Sequence, residues 1–176
     1  MPGILWEATR DLHHKAEGHP VAKRMMDGSI SPQEWADWLH ALWVIHTGLD
    51  PHLPLSARRA DSFASDLMEL LPVLPYPSAS AELYSASLTN VVDIFGAAYI
   101  TVGAHRRGGR VIERAMKQQG INLPHNHVHF DHPQEVEKLI NKWREVPCLE
   151  RGARRAFEAL YDVMEEIEGR RNGSSS

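Results

Sequence analysis

One cysteine, Cys148, stands in the 176 residues, so no disulfide can form within the chain. Long hydrophobic runs are absent as well. No stretch approaches the roughly 18 apolar residues that a membrane-spanning helix needs, and the start, MPGILWEATR, has no apolar signal-peptide region. The expectation is a cytoplasmic protein with no membrane association. Excess charge of one sign is also lacking: 19 basic residues face 23 acidic ones, for a net charge of −4. Nothing global therefore suits a nucleic acid, and an anionic partner has to be held by local clusters. The G-x-S-x-G, P-loop and G-x-G-x-x-G patterns do not occur, which removes the usual signs of a serine hydrolase or a nucleotide-binding enzyme. No segment sustains the period-two alternation of a half-buried strand.

What is present is helical periodicity almost throughout. Hydrophobic residues make up 43% and charged residues 24%, ordinary for a globular protein, and the length suits one domain. The spacing predicts an all-α chain with a domain over residues 1–169 and a mobile tail over 170–176, GRRNGSSS being its end. A first helix is expected over 3–17, stopped by Gly18 and Pro20, and a short one over 21–26. Ser31, Pro32 and Glu34 form an N-terminal signature. It opens a long helix whose apolar stripe runs through Trp35, Leu39, Leu42, Trp43, Ile45, His46 and Leu49. The proline-rich LLPVLPYPSAS reads as a linker between helices, and helices are expected again over 81–120, 134–145 and 149–168.

The stretch ATRDLHHKAEG holds two adjacent histidines. Residues four apart lie one above another on a helix, so Thr9, His13 and Glu17 share a face and His14 is turned about 100° away. A metal-ligating imidazole presents one nitrogen to the metal and gives its other N–H to an oxygen, often a carboxylate, and Glu17 is placed to be that oxygen. By spacing alone the plainer reading stays open, in which both histidines are half-exposed helix residues and Glu17 is solvated.

A second stretch, AAYITVGAHRRGGRVIERAM, carries Gly103, Gly108 and Gly109 inside a helical pattern. Each interior glycine costs a helix about 1 kcal/mol relative to alanine. One compensating reason is a kink that lets bare backbone lie against a flat ligand.

The segment LWEATRDLHHKAEG, followed by MMDGSISPQEWADWLHALWVIHTGLD, resembles the amino-terminal part of the heme oxygenases. Their motif T-x-x-x-H-x-x-A-E is met by Thr9, His13, Ala16 and Glu17. The resemblance is strongest over 5–50, extends to 88–116 and is weak beyond. It implies a single-domain helical bundle with heme between the first helix and a kinked, Gly-rich distal helix. By the same resemblance His13, not His14, is the proximal iron ligand and Glu17 its partner, while Tyr99 and the Gly108-Gly109 pair belong to the distal wall. The distal residues that would steer oxygen are Gly103, Ala104, His105 and Gly108. Ala104 stands where the family keeps its first glycine, and His105 where some members keep an aspartate. The heme propionates call for cations, for which Arg10 and Arg144 are the candidates.

The reaction this implies is opening of heme by O2 and reducing equivalents to biliverdin, carbon monoxide and ferrous iron. Its electrons come from a separate ferredoxin or flavin reductase. Beside the reaction that the resemblance implies, two other readings stay open: a heme oxygenase-like homologue that binds heme through both His13 and His105 without degrading it, and a relative sharing only the fold that acts on another small molecule. Arg106 and Arg107, beside His105, also read as a solvated basic patch. Finally, HNHVHFDH supplies His125, His127, His129, Asp131 and His132. In an extended loop its alternation would aim three imidazoles to one side, enough for a zinc or nickel ion, though the spacing matches no recognised site and a solvated loop is the alternative.

Overall fold

The structure, a computed structural model, describes residues 2–173. Helix α1 is Ile4–Glu17, α2 Pro20–Asp27 and α3 Pro32–Leu49. They are followed by α4 Ala60–Glu69, α5 Ala79–Ala86 and α6 Val91–Gly103. A π turn, Ala104–Gly108, joins α6 to α7 Gly109–Gln118, and α8 Pro133–Arg144 and α9 Glu150–Gly173 complete the chain. No strand occurs among the described residues, and the all-α expectation holds.

Local chemistry explains most of these boundaries. At α3 the Glu34 backbone N–H donates to Ser31 Oγ at 3.1 Å, and Ser31 N–H donates to Glu34 Oε2 at 2.9 Å, the reciprocal box anticipated from the sequence. His19 caps α2 by accepting from Val21 N–H through Nδ1, which leaves its Nε2–H to donate to Glu165 on α9 at 2.7 Å. Gly28 ends α2 at φ 77°, where a side chain would be strained.

Helix α4 is the element missing from the sequence reading. Its N-terminus has no side-chain cap of its own. Asp50, ten residues earlier, accepts from the backbone N–H groups of Arg59 and Ala60 at 2.9 and 2.7 Å. A remote carboxylate thus does the work that local capping residues usually do.

Residues 170–173 of the expected tail are helical. Helix α9 continues through residues 170–173, because Arg170 reaches the buried Asp37 carboxylate at 3.3 Å and Arg171 lies 3.7 Å from Glu34. The remainder of the expected mobile segment, residues 174–176, lies outside the described residues.

In the core, α3 contributes Trp35, Leu39, Leu42, Ile45 and Leu49, with Trp43 at the edge of the stripe and partly exposed. Helices α6 and α9 cross almost backbone to backbone. A methyl on Gly152 would run into the Val92 carbonyl, and one on Gly96 into the backbone of Gly152 and Ala153. Neither obstacle is a flexible side-chain end. Gly152→Ala is therefore expected to lower the unfolding free energy by roughly 1–3 kcal/mol, as overpacking does; urea denaturation checks this, and unchanged stability would contradict so close a crossing.

Candidate functional site

A cavity of about 440 Å³ opens between α1, α2 and the α6–π-turn–α7 segment, closed off by α9. The walls are mostly apolar or aromatic: Trp6 and Ala16 from α1, Met25 from α2, Trp38 from α3, and Phe157 and Met164 from α9. Its size falls within the roughly 300–1,000 Å³ of small-molecule sites.

His13 and Glu17 line one wall. The His13 ring stands edge-on between Trp6 and Phe157, with centroids 4.9 and 5.9 Å away, so packing on both sides fixes its plane. Its Nδ1 lies 3.5 Å from Glu17 Oε1, is buried and has no hydrogen-bond partner. With Nδ1 turned toward Glu17, Nε2 is the ring nitrogen left for a ligand. Thr9, one turn earlier, also lines the cavity, but its hydroxyl donates to Leu5 carbonyl at 2.7 Å and is thereby occupied. His14 does not line the cavity; its ring is largely exposed.

The opposite wall contains Tyr99, Gly103, Ala104, Arg107 and Gly108. Here the glycine interruption takes the form of a π turn, one of the recurrent helix distortions at functional sites. A Cβ on Gly108 would meet nothing within 4 Å, and one on Gly103 only Ile140 Cγ2 at 3.9 Å. Gly108 therefore leaves an open cradle on the cavity side. Gly109 has a different role: its Cβ position lies 2.5 Å from Val128 Cγ1, so this glycine admits the 125–130 loop and is not a cavity residue. The Tyr99 hydroxyl is shifted above its ordinary pKa by burial, against the opposing charges of Arg107 and Arg144.

His105 requires a correction. Its side chain turns away from the cavity into a buried cluster, where its Nε2 lies 3.0 Å from His46 Nε2. His46 Nδ1 is 2.9 Å from Asp50 Oδ1. The carboxylate fixes the His46 proton on Nδ1, so His46 Nε2 accepts the proton of His105 Nε2. Phe63 stacks on His46 and His127 at 5.5 and 4.6 Å and receives His105 edge-on at 5.0 Å. In these surroundings His105 is held well below its ordinary pKa, first by burial and then by the neighbouring His46, His127 and Arg59. It anchors the π turn from behind. Its position removes the geometry needed for ligation of one iron by His13 and His105 together.

The histidine-rich loop is also arranged differently from the expectation. Residues 126–128 form a 3-10 turn; the His125 and His127 rings stack at 5.9 Å, but the imidazoles bond separate partners. His127 Nδ1 bonds the fully buried Asp66 at 2.6 Å, His125 Nδ1 donates to Leu123 carbonyl at 2.8 Å, and His129 Nε2 bonds Glu113 at 2.9 Å. Among the described residues the grouping close enough to share a metal ion is His13, His14 and Glu17, not this loop.

The two cations expected to meet propionates do not line the cavity. Arg10 is exposed beside Glu7 at 3.7 Å, and the Arg144 stem packs on Gly3 while its Nε donates to Glu145 at 3.0 Å. Arg107 takes their place at the cavity wall. It is half-exposed, paired with Glu137 and 3.3 Å from Asn141 Oδ1. The only sequence signal for it was the Arg106-Arg107 pair, which reads equally as a solvated patch.

The chain has the heme oxygenase fold. Solved structures that share it include three heme oxygenases. Heme oxygenase from Leptospira interrogans matches with a TM-score of 0.79 and 14% identity, over 93% of this chain and 97% of that one. Heme oxygenase-1 from the cyanobacterium Synechocystis, in complex with heme, gives 0.75 and 14% over 94% and 89%. Heme oxygenase-2 from Synechocystis, in complex with heme and NO, gives 0.76 and 16% over 94% and 84%. No protein-family model and no curated protein sequence matches. No helix among the described residues is long and apolar enough to cross a membrane.

Proposed function

We propose that the cavity binds heme and that the chain is a heme oxygenase, consuming O2 and electrons and releasing biliverdin, carbon monoxide and ferrous iron. One observation carries the reading: a histidine backed by a carboxylate faces a glycine-opened π turn across an apolar cavity. The residues suit the group. An apolar slot accepts the macrocycle, an imidazole with its plane fixed by Trp6 and Phe157 is available to the iron, and the bare Gly108 backbone leaves room for a flat face.

In this reading His13 would hold iron as neutral imidazole through Nε2. Glu17 Oε1, 3.5 Å away, would close on Nδ1 to accept a hydrogen bond from its N–H, which fixes the tautomer and raises the basicity of the ligand. Gly103, Ala104 and Gly108 shape the distal space and keep it free of side chains larger than a methyl. Arg107 is the cation placed to meet a propionate. Bound heme would supply both the metal that activates O2 and the carbon that is oxidised. The chain carries no nucleotide-binding motif of the usual kinds, so electrons come from an external ferredoxin or flavin reductase, in a cytoplasmic setting.

The test is turnover. Protein loaded with hemin and given ferredoxin, its reductase and NADPH in air is expected to yield biliverdin absorbance and carbon monoxide; an unchanged heme spectrum under those conditions refutes the oxygenase reading. Gly108→Leu is a companion prediction. The added side chain enters open space, so stability stays within about 1 kcal/mol of the parent, while hemin uptake weakens at least tenfold, equivalent to about 1.4 kcal/mol; optical titration measures it.

A further inference from the structure

Ligation of one iron by His13 leaves His14 without a role. Glu17 lies between the two rings, with Oε1 3.5 Å from His13 Nδ1 and Oε2 3.8 Å from His14 Nδ1. One donor atom from each of the three residues falls within 4.8 Å of the other two. His13 Nδ1 is in addition a buried nitrogen with no hydrogen-bond partner.

We propose that His13, His14 and Glu17 form a binding site for a divalent transition ion, zinc being the ion whose chemistry fits best. Two imidazole nitrogens and a carboxylate oxygen are a standard zinc donor set, and a three-residue set leaves one position for water. Ligand atoms about 2.0–2.1 Å from a tetrahedral zinc are roughly 3.3 Å from one another, so the three donor atoms, now within 4.8 Å of one another, must draw together by up to about 1.5 Å. Glu17 and His14 are both largely exposed and can turn without disturbing packing. His13 supplies the fixed ligand, and the other two close on it.

Zinc and heme iron then compete for His13. A neutral imidazole has one lone pair. With Nδ1 on zinc, the ring proton sits on Nε2 and that nitrogen has nothing to give an iron in the cavity. This competition rests on the proposed function, whereas the zinc site itself does not.

Calorimetric titration of the full chain with zinc chloride tests the site, with cobalt(II) absorption reporting coordination. One equivalent is expected to bind. His14→Ala and Glu17→Gln are each expected to weaken it by at least the roughly tenfold that changes around a metal ligand cost, with circular dichroism confirming that α1 stays helical. Native-like affinity in both variants, or no saturable uptake by the parent, overturns the proposal; an adventitious ion bound elsewhere gives the first of these. His14→Ala is expected to take up hemin as the parent does. In the second arm, zinc-loaded parent takes up hemin more weakly than the metal-free chain. If that arm fails while the zinc variants behave as expected, the zinc site stands and the assignment of His13 to iron falls.

Discussion

His13→Ala yields a folded protein whose hemin complex has an altered optical spectrum and no oxygenase turnover. Folding survives because the side chain is about one-third exposed and stands outside the hydrophobic core, and alanine is the best helix former. The substitution removes ring packing against Trp6 and Phe157, both at the cavity wall. What disappears is the one imidazole lining the cavity among the described residues. Hemin can still enter an apolar slot, with affinity lower by at least tenfold, or about 1.4 kcal/mol. Optical titration beside a turnover assay reads both effects. His14→Ala serves as the comparison, with spectrum and turnover unchanged. A His13→Ala complex with the parent's spectrum would show that another group holds the iron.

Acid is expected to unfold the protein sooner than its surface charges would suggest. His105, His125 and His127 are buried, and each is held below its ordinary pKa with burial as the largest cause. His127 is pulled the other way by Asp66, and His125 by its bond to the Leu123 carbonyl, without reversing the direction. The groups facing this cluster are His46 and Asp50 from α3 and its end, Arg59 and Asp66 at α4, and Glu113 and His129 at the loop's outer edge. The sign follows from linkage. Below about pH 6.5 the unfolded histidines take up protons that the folded ones refuse, so the unfolded state binds more protons and stability is lost as the pH is lowered. The slope is about 1.4 kcal/mol per pH unit for each such proton. Urea denaturation between about pH 8 and pH 5 measures it; a flat profile would contradict a cluster kept neutral.

The physical basis of that cluster also explains where sequence reasoning succeeded and failed. Elements governed by neighbours along the chain were legible: the Ser31–Glu34 box, the proline and glycine stops around α2, and the Thr9–His13–Glu17 face all depend on helical spacing. Features set by partners distant in sequence were not. Asp50 caps α4 across ten residues, and Asp66 gathers the histidine loop from sixty residues away, so local patterns gave no helix in the first case and a metal-ready set of imidazoles in the second. His105 was misassigned for a different reason. The cavity face of this segment runs through Ile100, Gly103, Ala104, Arg107, Gly108 and Val111, ordinary helical spacing that leaves position 105 off the face, and His46 holds its ring behind the turn. Arg107, three residues from Ala104, is on the cavity side, while Arg10 and Arg144 are not.

The central claim is that the cavity between α1 and the π turn receives heme. Trp6 and Trp38 line it, so bound heme must quench their fluorescence. The most direct measurement is a titration of the parent protein with hemin, following tryptophan emission and heme absorbance together. Both signals are expected to saturate at one equivalent and to change in step. Hemin that leaves tryptophan emission intact, or binds without saturation, would contradict the claim.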